Sequence, residues 1–236
     1  MVFSTTNIPD TIVPISKSFQ SDNHISIDNR LLTLCEMISS GAEGTIYRIK
    51  EDTNSVAKIY HVDGDFNQLL TVRKQKKLEL IKSLDLSKVH PCICSPKKLC
   101  YDSRKEEIIG FSMEYIKNTV SLGDILLSIS TRTNTAYNRK ELVSICLQIA
   151  QILSSLSNVE NHQVLVGDLK PENFLITEDY KVYIVDVDSF QIDEFPCPVG
   201  TPDLTPPETI FQTTPSISSV VFPVGVVSPD TTCHIE

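Results

Sequence analysis

The sequence predicts an α+β fold, on three observations. Between Leu31 and Tyr60 the run LLTLCEMISSGAEGTIYRIKEDTNSVAKIY reads as three short strands, joined first by a glycine-containing turn and then by a polar one. Residues 63–86 and 139–159 carry apolar side chains at helical spacing. Phe174-Leu-Ile176 and Val182-Tyr-Ile-Val185 flank the polar turn Thr177–Lys181 and read as a β-hairpin. With 236 residues, 41% of them hydrophobic, the chain can bury a real core as one two-lobed domain or two small ones.

Residues 1–30, rich in Ser, Thr, Asn, Asp and Pro, read as an extended arm or a short strand. In the first turn, Ser39-Ser-Gly41-Ala-Glu-Gly44, glycines would let the backbone approach phosphates closely. A lysine on the adjoining strand, in Val56-Ala-Lys58, would reach the same phosphates as a point charge. Phe66, Leu69, Leu70, Val72, Leu78, Leu80, Ile81 and Leu84 mark a helix, and the basic run Arg73–Lys77 reads as its solvated side. Cys92–Pro96 reads as a loop, Lys98–Tyr101 as a strand, and Ile108–Ile116 as a strand ending in a linker. Two helices follow, from Ser121 and from Arg139, the second apolar enough to be expected buried.

The hairpin carries the chemistry. Asp186 ends its second strand, and the loop before its first strand holds Asp168, Lys170 and Asn173, so all four converge at one end. Hard oxygen ligands beside a lysine suit magnesium and a nucleotide phosphate. Asp188, two residues beyond Asp186, would supplement the metal site or cap the turn after it.

Asp168-Leu-Lys-Pro-Glu-Asn173 resembles the catalytic loop of protein kinases, and Asp186-Val-Asp188 stands where that family has Asp-Phe-Gly. The glycine turn, the strand lysine and a hinge-like strand precede them in the family's order. The resemblance implies a two-lobed kinase-like fold, with a small β-rich lobe and hinge over 31–116 and an incomplete helical lobe over 117–208. It implies Mg-ATP and transfer of the γ-phosphate to a Ser or Thr hydroxyl of a protein substrate. Gly41, Gly44 and Ile46 would cover the nucleotide, and Lys58, oriented by Glu79 on the following helix, would grip its α and β phosphates. Met113 would sit behind the adenine, with Glu114 and Ile116 offering main-chain groups. Asp168 would serve as base or orienting carboxylate, Lys170 would stabilise the transferred phosphoryl, and Asn173 and Asp186 would hold magnesium. Lys58→Met should then weaken nucleotide use and leave folding largely intact.

Departures narrow the family reading. Ser39 replaces the first glycine, and Val166-Gly167 replace the His-Arg before the catalytic aspartate, which excludes an arginine there to bind an activation-loop phosphate. Asp-Val-Asp resembles an atypical bacterial branch of the superfamily. Gly200–Glu208 resembles the end of the activation segment, with Thr201 facing the catalytic loop. The last residues, 209–236, with Pro215, Pro223 and Pro229, leave no room for a long helix and read as an irregular tail after a truncated large lobe. Two rival functions follow: a pseudokinase that binds ATP or a partner without turnover, and a kinase-fold enzyme acting on a small molecule.

Composition excludes other classes. A formal charge of −9 argues against a nucleic-acid backbone or an anionic membrane as partner. Seven scattered cysteines without zinc spacing read as reduced, mostly buried thiols of a cytoplasmic protein. The first twenty residues lack a signal peptide's basic start and apolar run, and no 18-residue apolar segment is present to span a membrane.

Overall fold

A computed structural model describes residues 23–61, 72–130 and 137–197. The predicted positions Phe66, Leu69 and Leu70, most of the N-terminal arm, the segment 200–208 with Thr201, and the tail 209–236 lie outside these residues.

Six strands close into a barrel: β1 (His24–Ile27), β2 (Arg30–Ser40), β3 (Gly44–Ile49), β4 (Asp52–Tyr60), β5 (Lys98–Tyr101) and β6 (Ile108–Glu114). Their order is β1-β2-β3-β4-β6-β5, and Ser26 opposite Tyr101 joins the two ends. The stretch read as an arm thus contributes residues 24–27 to the barrel. Asp28 and Asn29, both at positive φ, make the tight turn from β1 to β2, a geometry their short polar side chains tolerate. Ile25, Ile49, Ile59, Ile109 and Phe111 fill this first core.

Helix α1 (Val72–Leu84) packs between two cores, giving Leu78 to the barrel and Ile81 to the second cluster. Of its basic run only Lys76 is exposed, so the run as a whole is not the solvated side expected. Lys77 is buried, Lys74 bonds Glu43 at 3.3 Å, and the Arg73 guanidinium donates to the Glu194 carbonyl at 2.7 Å.

The second lobe holds β7 (Thr119–Ser121), α2 (Leu122–Ser130), α3 (Arg139–Ser155), β8 (Val164–Leu165), β9 (Phe174–Thr177), β10 (Val182–Ile184) and β11 (Gln191–Ile192). Strands β9 and β10 form the expected hairpin, Val182 opposite Ile176 and Ile184 opposite Phe174, with β7 added to its free edge. Gln148 of α3 clamps the hairpin turn, donating to the Tyr180 carbonyl and accepting from the Val182 N–H. Asn138 caps α3, its side chain accepting from the Lys140 N–H. One face of α3 buries Ile145 and Ile152, while Val143 and Leu147 are 61% and 59% exposed. The helix expected to be buried is therefore buried on one side only.

The loop before β5 joins the lobes: Cys94 donates to the Ile184 carbonyl and Ile184 to that of Cys92, both at 2.9 Å. Cys92, Cys94 and Cys100 are buried, and burial pushes the Cys94 thiol up to about 12. Cys35 and Cys146 are exposed and Cys197 is half-buried, which corrects the expectation of mostly buried thiols for those three. Cys233 lies outside the described residues. No described helix is long and apolar enough to cross a membrane.

Candidate active site

The lower half of the site is built from two short turns. Lys170 is extended, as the residue before a proline must be, and Pro171 opens a single 3-10 turn ending at Asn173. That turn folds Asn173 back so that its Nδ2 donates to the Asp168 carbonyl at 2.9 Å. Lys170 Nζ lies 2.6 Å from Oδ2 of buried Asp168. The Val185 N–H donates to the Asn173 carbonyl at 2.9 Å, which sets Asp186 beside Asn173 at the mouth of the hairpin.

The upper half comes from the barrel. The Gly41 N–H donates to the Gly44 carbonyl at 2.9 Å and closes the β2–β3 turn, with neither glycine at positive φ. Gly44 has a packing reason of its own, because a Cβ there would stand 2.6 Å from the Ile59 carbonyl oxygen of β4. Together the two halves enclose a cleft of about 770 Å³, a volume suited to a small ligand. Gly41, Gly44, Ile46 and Lys58 line it above, Met113, Glu114 and Ile116 at the back, and Asp168, Lys170, Asn173 and Asp186 below. Sequence reasoning missed the apolar walls Val56, Leu175 and Val185. Alternation would have found two of them, since Val56 shares a strand face with Lys58, and Leu175 points away from its buried neighbours Phe174 and Ile176.

Glu79 does not join the site. It is exposed on α1, and Lys58 pairs instead with Asp186 Oδ1 at 2.5 Å and with both oxygens of Asp188 at 2.9 Å. The reason is helical phase: Leu78 and Ile81 define the buried seam, Lys77 falls within it, and at about 100° per residue Glu79 turns outward.

Asp188 likewise does neither thing expected of it. The segment after β10 is not a strand. Asp186 adopts a left-handed conformation (φ 63°, ψ 38°) and Val187–Ser189 form a 3-10 turn, so the two carboxylates do not share a strand face, though both reach Lys58 Nζ. Asp186 faces the cleft; Asp188 goes under it, fully buried, with its oxygens taken by Lys58 and by the Tyr60 hydroxyl at 2.8 Å. Tyr60 and Lys58, two apart on β4, share the face that meets it.

Charge in the site is uneven. Burial disfavours the Lys58 ammonium, but Asp188 and Asp186 outweigh it and raise its pKa well above the ordinary lysine range. Burial also works against Lys170, and its hydrogen bond to Asp168 reverses the effect and raises it. Lys77 has a carbonyl partner, Pro196 O at 3.1 Å, and there burial prevails, pulling it down to about 8. A folded-state pKa below the unfolded value of about 10.4 means the folded chain sheds this proton first. Stability from Lys77 therefore rises with pH between about 8 and about 10.4, by on the order of 3 kcal/mol. The melting temperature of the wild type, measured relative to Lys77→Met, is expected to climb from pH 7.5 to pH 10; a constant difference would place Lys77 in contact with solvent.

The donor set fits magnesium. Among the described residues no group of three or more His, Cys, Asp or Glu forms a metal cage. Magnesium instead takes one or two carboxylates and completes its shell with water and phosphate oxygens. Asp186 is a part-exposed carboxylate at the cleft, and Asn173, its Nδ2 occupied by Asp168, presents a side-chain oxygen there.

Known proteins resemble this chain in sequence and in fold. The model of the protein kinase domain family matches residues 32–234. Over 191 residues, 79% of this chain, the sequence is 31% identical to protein kinase YegI of Escherichia coli K12. The chain spans only 28% of that relative's length. A shorter match, 33% identical over 78 residues, is to the serine/threonine-protein kinase PknG of Mycobacterium leprae, covering 33% of this chain and 10% of that one. Among solved structures, the Toxoplasma gondii specific rhoptry antigen kinase domain superposes with a TM-score of 0.58 at 15% identity, covering 78% of this chain and 59% of that one. The ROP18 kinase domain, solved with AMP-PNP and sucrose, gives 0.55 at 15%, covering 79% and 60%. These two likenesses concern the fold.

Proposed function

The chain belongs to the protein kinase domain family, and from that premise we propose that it binds Mg-ATP and transfers the γ-phosphate to a Ser or Thr hydroxyl of a protein. One observation carries the reading: the residues that the family resemblance set around the nucleotide and the metal, Glu79 excepted, line a single cleft. The order of groups across that cleft suits phosphoryl transfer, which asks mainly for positioning and charge.

In this reading the adenine lies between Ile46 and Val56 above and Leu175 and Val185 below, against Met113. Lys58 takes the α and β phosphates. Asp186 and Asn173 would hold the metal, which would supply charge neutralisation at the transferred group. Asp168 accepts the proton of the substrate hydroxyl as the new P–O bond forms and ADP leaves. Lys170, 2.6 Å from that carboxylate, stabilises the phosphoryl oxygens. A cytoplasmic setting is part of the same proposal.

The test compares the chain with Asp186→Ala, using labelled ATP, magnesium and a generic protein substrate. Expected are label on the substrate or on the chain itself with the wild type, and at least a 100-fold loss in the variant, on the order of what one electrostatic stabiliser contributes. Nucleotide binding with no labelling by either protein would identify a pseudokinase module. Labelling of a small molecule alone would identify the other rival.

A further inference from the structure

In the proposed reaction Lys58 must be held at the phosphates, and we infer that Asp188, on the turn that follows Asp186, is the residue that positions it, in place of an acid on helix α1. The inference rests on the nucleotide reading of the cleft. It assigns a task to a side chain that the cleft itself does not include.

The first observation is the distribution of charge. The charged residues that α1 turns inward are cationic: Lys77 is buried and Lys74 lies 4.0 Å from the centre of the Tyr60 ring. Glu79, the acid that could have paired with Lys58 from this helix, is exposed. A helix that faces the site with two ammonium groups cannot orient a third. The counter-charge has to come from elsewhere, and Asp188 is placed among these cations, with both oxygens 2.9 Å from Lys58 Nζ.

The second is the contrast between the two carboxylates on Lys58. Asp186 faces the cleft with its side chain 26% exposed, as a group that must also meet a metal would be. Asp188, its side chain 1% exposed, does not line the cleft, and Tyr60 fixes it from behind. Asp188 can therefore keep Lys58 in place while Asp186 is engaged by ligand.

The third is how the turn is held. The Ser189 N–H and Oγ both donate to the Asp186 carbonyl, at 3.0 and 2.7 Å, and the Phe190 N–H donates to Val187. Val187 and Phe190 are buried in the core of the second lobe. Asp186 and Asp188 thus ride on one rigid piece. The lysine that grips the phosphates and the acid that holds the metal are set by the same five residues.

The discriminating experiment measures the affinity of the full chain for ATP with magnesium and for adenosine, which has no phosphates for Lys58 to meet. The variants are Asp188→Asn, Glu79→Gln and Tyr60→Phe. Asp188→Asn is expected to weaken ATP binding by roughly 10- to 100-fold, the usual effect of losing a partner that orients a site group, and to leave adenosine binding unchanged. Glu79→Gln should match the wild type for both ligands. Tyr60→Phe, which removes only the hydroxyl behind Asp188, should weaken ATP alone by a few fold; it decides the matter if Asp188→Asn does not fold. A purely structural role would lower the fraction of active protein and change both ligands together. Equal ATP affinity in wild type and Asp188→Asn, tighter ATP binding in that variant, or a loss with Glu79→Gln would overturn the inference. A wild type that binds neither ATP nor adenosine would instead overturn the nucleotide reading, and the inference with it.

Discussion

Asp168→Asn is expected to lower phosphate transfer by roughly 10²- to 10⁴-fold, the contribution typical of a positioned general base, with ATP affinity and fold preserved. The substitution keeps the side chain's shape and removes its ability to take a proton. Main-chain bonds hold the loop around it: Asn173 Nδ2 and the Lys170 N–H both donate to the main-chain oxygen of Asp168. The partner that loses its counter-charge, Lys170, has a side chain 32% exposed, so water can solvate the freed ammonium. Single-turnover transfer from labelled ATP, read beside nucleotide affinity and a melting curve, separates the two halves of the expectation. Transfer within threefold of the wild type would reduce Asp168 to a structural partner of Lys170. A collapse of the melting curve would show that the loop needs the charge after all.

Much of this site was legible because its residues sit at fixed offsets along short elements. A lysine mid-strand, a proline that forces the turn between Lys170 and Asn173, and an aspartate just past the end of a hairpin each take their position from local geometry. The errors occur where position depends on packing between elements. Glu79 went wrong through helical phase: the run RKQKKLELIK offers one acid and five bases, and only the contacts of Leu78 with the barrel and Ile81 with the second core select the inward face. Asp188 went wrong through a change of backbone state, since strand alternation was carried past Asp186, where the left-handed residue ends it. The apolar face of α3 illustrates the limit of counting apolar residues, because Val143 and Leu147 satisfy the same periodicity as Ile145 and Ile152 and only the neighbours decide which are covered.

Lys58→Met carries the other large effect, and the buried ion pair reverses what the sequence suggested for it. Methionine fills the volume but leaves Asp188 buried with no direct cation, and breaking one side of a buried pair costs about 3–5 kcal/mol. The low end, about 3 kcal/mol, is expected here, because Lys74 and Lys77 lie near enough to Asp188 to offset part of the loss. Asp186, partly open to the cleft, can turn to water and adds little. The loss of stability should accompany the loss of ATP affinity in the single variant. Adding Asp188→Asn to Lys58→Met removes the stranded charge while keeping an acceptor for the Tyr60 hydroxyl, so the double variant should regain most of the stability and none of the ATP affinity. Urea unfolding midpoints of the wild type, both single variants and the double variant close the cycle. A double variant no more stable than Lys58→Met would locate the cost in lost packing around β4. Restored ATP affinity in it would mean that the phosphates are held by something other than Lys58.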